Sequence, residues 1–217
     1  MAEGGLKEIY LYRVKEIFYS LQGEGFHAGR AAVFIRFSGC NLWSGLESDR
    51  DLVLCDFCDT DFTGADGNLG GMYEAESLVE TTLSLWPGFE PPFVVCTGGE
   101  PMLQLDDRLI AALRSKGCAT AVETNGTIPV VPDIDWITVS PKAKATLRQI
   151  SGNELKLVYP QTGLDPSQYE GLAFEHFFLQ PIAHPNYPNA VMESVEYCLA
   201  RPKWKLSLQI HKLTGIK

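Results

Sequence analysis

The sequence predicts an α/β fold: an incomplete, modified (β/α)6-type partial TIM barrel with mostly parallel strands. Three observations carry this. Seven short β-branched and aromatic runs recur, at 33–37, 93–96, 120–123, 136–139, 154–158, 177–180 and 205–209. Helical patterns lie between several of them, and parallel neighbours need a crossover for which a helix is the usual solution. The 217 residues fall short of the roughly 250 of a complete eightfold barrel. In chain order, 33–37 opens the sheet with Val33-Phe34-Ile35-Arg36-Phe37. A helix at 74–85 follows, its acidic first turn leading to a stripe of Leu78, Val79, Thr82 and Leu83. After 93–96, the segment 105–116 aligns Leu105, Leu109, Ala112 and Leu113. The connection 124–136 holds Asn125-Gly126, Pro129 and Pro132, and 141–153 is short, so neither carries a full helix. A last helix at 190–201 aligns Met192, Val195, Cys198 and Leu199 before the final strand.

Repeats, low-complexity tracts and linkers are absent from the sequence, so residues 1–217 are expected to form a single domain. Eighteen basic against 27 acidic side chains give a formal net charge of −9, which disfavours a phosphate-tracking nucleic-acid binder and points to a small-molecule partner. No uncharged apolar run reaches the roughly 18 residues of a membrane span. The start, Met1-Ala2-Glu3-Gly4-Gly5-Leu6-Lys7-Glu8, lacks the basic and apolar regions of an export signal, so the cytoplasm is expected.

Strand C-termini are where chemistry gathers in such sheets. Cys96-Thr97-Gly98-Gly99-Glu100-Pro101, Glu123-Thr124-Asn125-Gly126, Ser140-Pro141-Lys142 and Gln180-Pro181-Ile182 all stand there. Turn chemistry explains any one of these; four on one rim argue for a site. Six cysteines are present, and Cys96, Cys118 and Cys198 sit singly in apolar surroundings as small core residues. Cys55-Asp56-Phe57-Cys58 is a C-x-x-C, and Cys40 precedes it by fourteen intervening residues. Three such thiolates bind zinc with a fourth ligand, or three irons of a 4Fe-4S cluster with the fourth iron open. The cysteines alone leave both readings standing.

With Thr97-Gly98-Gly99-Glu100-Pro101 added, the sequence resembles the radical S-adenosylmethionine (SAM) superfamily, where three cysteines near the first strand ligate a 4Fe-4S cluster and a GGE-type motif meets the methionyl amine of SAM. The superfamily spacing is C-x3-C-x2-C, so the insertion at about 41–54 is a departure, and it is known in one branch. That branch resembles the 7-carboxy-7-deazaguanine synthases. Tyr19-Ser20-Leu21-Gln22-Gly23-Glu24-Gly25 looks like their substrate loop, residues 33–40 like their first strand, and Cys58-Asp59-Thr60 like their cluster-end motif. Leu206-Ser207-Leu208-Gln209-Ile210-His211-Lys212 also falls where the family has a motif, so the resemblance covers nearly the whole chain.

The resemblance implies a ring-contracting lyase that converts 6-carboxy-5,6,7,8-tetrahydropterin to 7-carboxy-7-deazaguanine with loss of ammonia, on the way to 7-deazapurines such as queuosine. SAM is implied as a regenerated cofactor, with Cys40, Cys55 and Cys58 on the cluster and Thr60 on Mg2+. SAM contacts are implied at Phe57, Gly98, Gly99, Glu100, Glu123, Ser140, Pro141, Lys142, Gln180, Pro181, Ile182 and Ala183. Substrate contacts are implied at Leu21, Gln22, Gly23, Arg36, Thr97 and Lys217, whose terminal carboxylate would close over the pterin. Arg36 suits the substrate carboxylate because a guanidinium makes two parallel hydrogen bonds and an ammonium does not. An electron-donor protein such as flavodoxin and a homodimer are implied as well. Two rivals remain at this point: a radical SAM activating enzyme acting on a protein partner, and a zinc-binding structural module.

Overall fold

The computed structural model describes residues 10–217. The segment 1–8, which lacks an export signal in sequence, lies outside the described residues. In chain order the elements are β1 (Tyr12–Leu21), β2 (Ala31–Phe37), β3 (Gly71–Tyr73), α1 (Ala75–Ser84), β4 (Phe93–Gly98), α2 (Asp107–Ser115), β5 (Ala119–Thr124), β6 (Trp136–Val139), β7 (Ser151–Tyr159), β8 (Ala173–Pro181), α3 (Ala190–Ala200), β9 (Trp204–Leu206) and α4 (Ile210–Thr214). All nine strands share one sheet in the order β3-β1-β2-β4-β5-β6-β7-β8-β9. The seven predicted runs are β2 and β4 to β9, and they run parallel. No α-helix joins β5 to β6 or β6 to β7, as the prolines and short lengths of those connections predict. Among the described residues no helix is long and apolar enough to cross a membrane.

Strand alternation divides the side chains between two faces. Val33, Ile35, Phe37, Val94, Cys96 and Val122 point outward, into a core with Leu78, Val79, Leu109, Ile110 and Leu113 of α1 and α2. Asp106 caps α2, accepting from Leu109 N at 3.0 Å, which satisfies one of the free donors of its first turn. The inner face carries Phe18, Ala32, Phe34, Phe93, Val95 and Ala121. A β-bulge between Val14 and Glu16 shifts the register of β1 on β2, so Glu16 lands opposite Arg36. That bulge also breaks the period-two pattern of β1, and β1 and the three-residue β3 are antiparallel additions that the sequence does not announce.

Two predicted elements differ. In α3 the buried residues are Ala190 and Ser194, with Tyr197 and Cys198 partly buried, whereas Met192 and Leu199 are 59% and 78% exposed. Ser194 Oγ donates to Ala190 O at 2.7 Å, so its hydroxyl is satisfied within the helix and can face the core. The last strand ends at Leu206 because the chain then leaves the sheet to form α4. This departure positions the site. The sheet edges β3 and β9 do not pair, and the segments after β1 and β9 meet instead: Ile210 N donates to Gly23 O at 2.9 Å and Gly25 N to Ser207 Oγ at 2.9 Å.

At the upper end of the β2–β4 pair, Gly98 has φ of 135°, and a Cβ there would sit 2.2 Å from Phe37 O. Gly98→Ala is expected to lower stability by about 2–4 kcal/mol, from backbone strain together with overpacking, measured by urea unfolding. A change within about 0.5 kcal/mol, the ordinary scatter of surface substitutions, would contradict this close approach.

Candidate active site

One cavity of about 470 Å³ opens at the C-terminal ends of the parallel strands and runs inward between them. Cys40, Cys55, Cys58, Phe57 and Thr60 line it beside Thr97, Gly98 and Gly99 of the β4 rim. Ser140 and Lys142 after β6, and Gln180, Pro181, Ile182 and Ala183 from β8 onward, complete the rim. Glu123, Leu21, Gln22, Gly23, Arg36 and Lys217 line the inner part. Of the residues expected to contact the cluster, Mg2+, SAM or substrate, the structure brings all to this cavity except Glu100 and Pro141.

Pro141 is buried outside the cavity lining. Glu100 is fully buried behind the wall, where its carboxylate accepts from Met102 N at 3.0 Å, Thr124 Oγ1 at 2.7 Å and Asn125 N at 2.7 Å. It ties the turn after β4 to the end of β5. Burial pushes its pKa up, and the Asn125, Thr124 and Met102 donors counter that. A Cβ at Gly99 would sit 2.1 Å from Gly39 O, so this glycine is required where Glu100 N meets Gly39 O at 2.9 Å.

The three cysteines are free and share the cavity wall. Burial pushes the Cys55 thiol up to about 11 and raises that of Cys40, against backbone N–H groups of Leu42 and Trp43. Leu42 N lies 3.4 Å from Cys40 Sγ. Thiols held protonated by burial ionise when a cation takes the place of the proton. Among the described residues no three His, Cys, Asp or Glu side chains converge as ligands of one metal ion do. A 4Fe-4S cluster needs no such convergence, since each thiolate takes a different iron. Three thiols around one open cavity, with backbone N–H groups aimed at a sulfur, fit that group.

Deeper in, charge replaces sulfur. The ammonium of Lys156, whose side chain is 5% exposed, lies 2.5 Å from Glu24 Oε2 and 3.5 Å from Glu123 Oε1. Glu123 accepts from Gln22 Nε2 at 3.0 Å and Thr97 Oγ1 at 3.2 Å. Glu123, expected as a SAM contact, is thus bonded to two of the expected substrate contacts. Gln209 Nε2 donates to Glu24 Oε1 at 3.0 Å, and Phe26 N donates to Glu154 Oε2 at 3.0 Å. Burial alone would lower the Lys156 pKa, but Glu123, Glu24 and Glu154 together raise it. Burial pushes Glu24 up, and the ammonium beside it outweighs this and holds the carboxyl down to about 2. The sequence carries a signal for Lys156: in Glu154-Leu155-Lys156-Leu157-Val158 the two charges share the inner face of a buried strand.

Arg36 and Lys217 also meet a carboxylate. Arg36 Nε is 2.9 Å from Glu16 Oε1, and Lys217 Nζ pairs with the other oxygen of Glu16. Ser20 Oγ donates to Lys217 O at 2.6 Å. Burial pushes Glu16 up, and its bonds to Lys217 and Arg36 bring it below the usual range. Phe18 and Phe34 stack with centroids 5.0 Å apart beside this pair. Lys142 Nζ donates to Ser140 O and Oγ, both at 2.7 Å. Asp59 and Asp61, flanking Thr60, pair with Lys212 and Lys15.

Lys156→Met would leave the buried carboxylates without their counter-ion, at an expected cost of about 3–5 kcal/mol near neutral pH. The depressed pKa of Glu24 stabilises the unmodified protein above the ordinary carboxylate range and that gain is lost as pH falls; in the variant, burial favours the protonated acids, which acid supplies. The stability gap in urea unfolding is therefore expected to narrow between about pH 7 and about pH 4. A gap independent of pH would contradict the network.

No family model matches the chain. The 7-carboxy-7-deazaguanine synthase of Bradyrhizobium diazoefficiens is 54% identical over 208 residues, covering 95% of this chain and 99% of the relative. That of Caulobacter vibrioides is 55% identical over 207 residues, covering 94% and 99%. The crystal structure of QueE from Escherichia coli superposes with a TM-score of 0.69 at 27% identity, covering 93% of this chain and 95% of that one. Identity of this degree over nearly the whole of both chains shows that the protein belongs to the 7-carboxy-7-deazaguanine synthase family.

Proposed function

We propose that the protein converts 6-carboxy-5,6,7,8-tetrahydropterin to 7-carboxy-7-deazaguanine with loss of ammonia, using a 4Fe-4S cluster on Cys40, Cys55 and Cys58 and SAM on the rim above the pterin. The observation that carries this is one cavity lined both by three thiols and by the Arg36 guanidinium, which Glu16 holds on its inner wall. When bound, the reduced cluster and SAM supply the one-electron chemistry that removes hydrogen from the pterin.

The chain's own groups bind, orient and exclude water. Arg36 takes the substrate carboxylate by a two-bonded fork, and Glu16 holds the guanidinium in place beforehand. Phe18 and Phe34 give the planar ring a flat apolar wall. Leu21, Gln22, Gly23, Thr97 and Glu123 read the ring edge, and Lys217 closes beside Arg36. Thr60 offers a hydroxyl that, with substrate oxygens and water, suits Mg2+. Phe57, Gly98, Gly99, Ser140, Lys142 and residues 180–183 hold SAM, and Glu100 shapes the turn that presents the glycines. The family resemblance supports extending this reading to one radical SAM core domain over 1–217, a homodimer, an electron donor such as flavodoxin and a cytoplasmic location.

Cys55→Ala is expected to abolish cluster assembly; a full iron and sulfide complement in that variant would overturn the ligand assignment. Arg36→Lys is expected to weaken pterin binding by about tenfold or more, through loss of a charge-assisted hydrogen bond, with SAM binding unchanged. Equal losses for both ligands, read by calorimetry on reconstituted protein, would contradict a direct role in carboxylate binding.

A further inference from the structure

The insertion 41–54 is the chain's departure from C-x3-C-x2-C, and apolar packing does not explain how it is held. Its 3-10 turn, Glu47–Leu52, buries none of its residues, and Leu46 and Leu52 are exposed. Only Trp43 is buried, 6% exposed, packed edge-on to Phe62 with ring centroids 5.6 Å apart and Nε1 donating to Leu46 O at 3.2 Å. What links the turn to the C-x-x-C segment is Arg50. Its Nε and Nη2 grip both oxygens of Glu47 at 2.6 and 2.5 Å, while Nη1 donates to Asp56 O at 2.7 Å and Cys58 O at 3.0 Å. The guanidinium carbon lies 4.2 Å from the Trp43 ring centroid, so one side chain joins the anchor, the turn and the cysteine segment.

We propose that Arg50 is a positioning residue for the cluster and SAM: through it, the insertion fixes the backbone on both sides of Phe57. The two carbonyls it holds belong to the residues flanking Phe57, which lines the cavity, and Cys58 N closes the C-x-x-C turn on Cys55 O at 3.1 Å. Glu47 sets the plane of the fork. A lysine keeps the charge but lacks a planar set of donors that serves a carboxylate and two carbonyls together. The role in SAM binding rests on the proposed function above; the holding of the loop does not.

The test begins on iron-free protein, which needs no cofactor. Cys55 is 5% exposed and Cys96 is fully buried, so alkylation of each, followed by peptide mass spectrometry, separates local opening from general unfolding. Arg50→Lys and Arg50→Met are expected to speed Cys55 labelling by about tenfold or more, as loss of charge-assisted hydrogen bonds permits local opening, with Cys96 still protected. If Arg50→Met also exposes Cys96, Arg50→Lys decides. In reconstituted Arg50→Lys, the SAM-induced change in the electron paramagnetic resonance spectrum of the reduced cluster is expected to require about tenfold more SAM. Unchanged Cys55 protection with unchanged SAM dependence in Arg50→Lys would overturn the proposal. Should the unmodified protein assemble no cluster, the reading of the cavity fails, and the alkylation result still judges Arg50.

Discussion

The buried ammonium of Lys156 is the interaction on which the rest of the architecture depends. An open sheet leaves a gap between its edges, and here the gap is crossed by two segments that follow β1 and β9. Glu24 comes from the first and Gln209, bonded to it, from the second. Lys156 reaches Glu24 from β7 and Glu123 on β5. One cation thus joins four parts of the chain, and its partners repay the desolvation that an isolated buried charge would suffer. The loop carrying Leu21, Gln22 and Gly23 is shaped by the same contacts.

This arrangement gives the cavity two chemically distinct regions. The mouth offers soft sulfur ligands, glycines that let backbones approach closely and a ring of rim donors. The inner wall offers fixed charge and a stacked aromatic pair. Soft ligands suit iron and sulfide, while charge in a low-dielectric wall reads a small anionic, hydrogen-bonding ring. The insertion stands at the mouth, where Arg50 links it to the cysteine segment.

The parallel strands were legible because burial on both faces leaves near-continuous apolar runs. β1 was not, since its bulge breaks the alternation, and the buried face of α3 was misread because Ser194 hides its hydroxyl inside the helix. The rim of the site was legible where glycine and proline follow strands. The motif implied a SAM contact at Glu100, but nothing in it announced the three donors that hold the carboxylate behind the wall. Lys156 and Glu24 are 132 residues apart, and the motif that contains Glu24 does not name its partner; their pairing is set by the tertiary fold. The charge alternation in β7 is a signal that could have marked Lys156 as inward, and nothing local names its partner.

The most direct test is anaerobic turnover of reconstituted, reduced protein with SAM, Mg2+ and 6-carboxytetrahydropterin, with products followed by mass spectrometry. Formation of 7-carboxy-7-deazaguanine without stoichiometric loss of SAM is the predicted result. Accumulation of 5′-deoxyadenosine alone, or no product from protein whose cluster is verified intact, would contradict it.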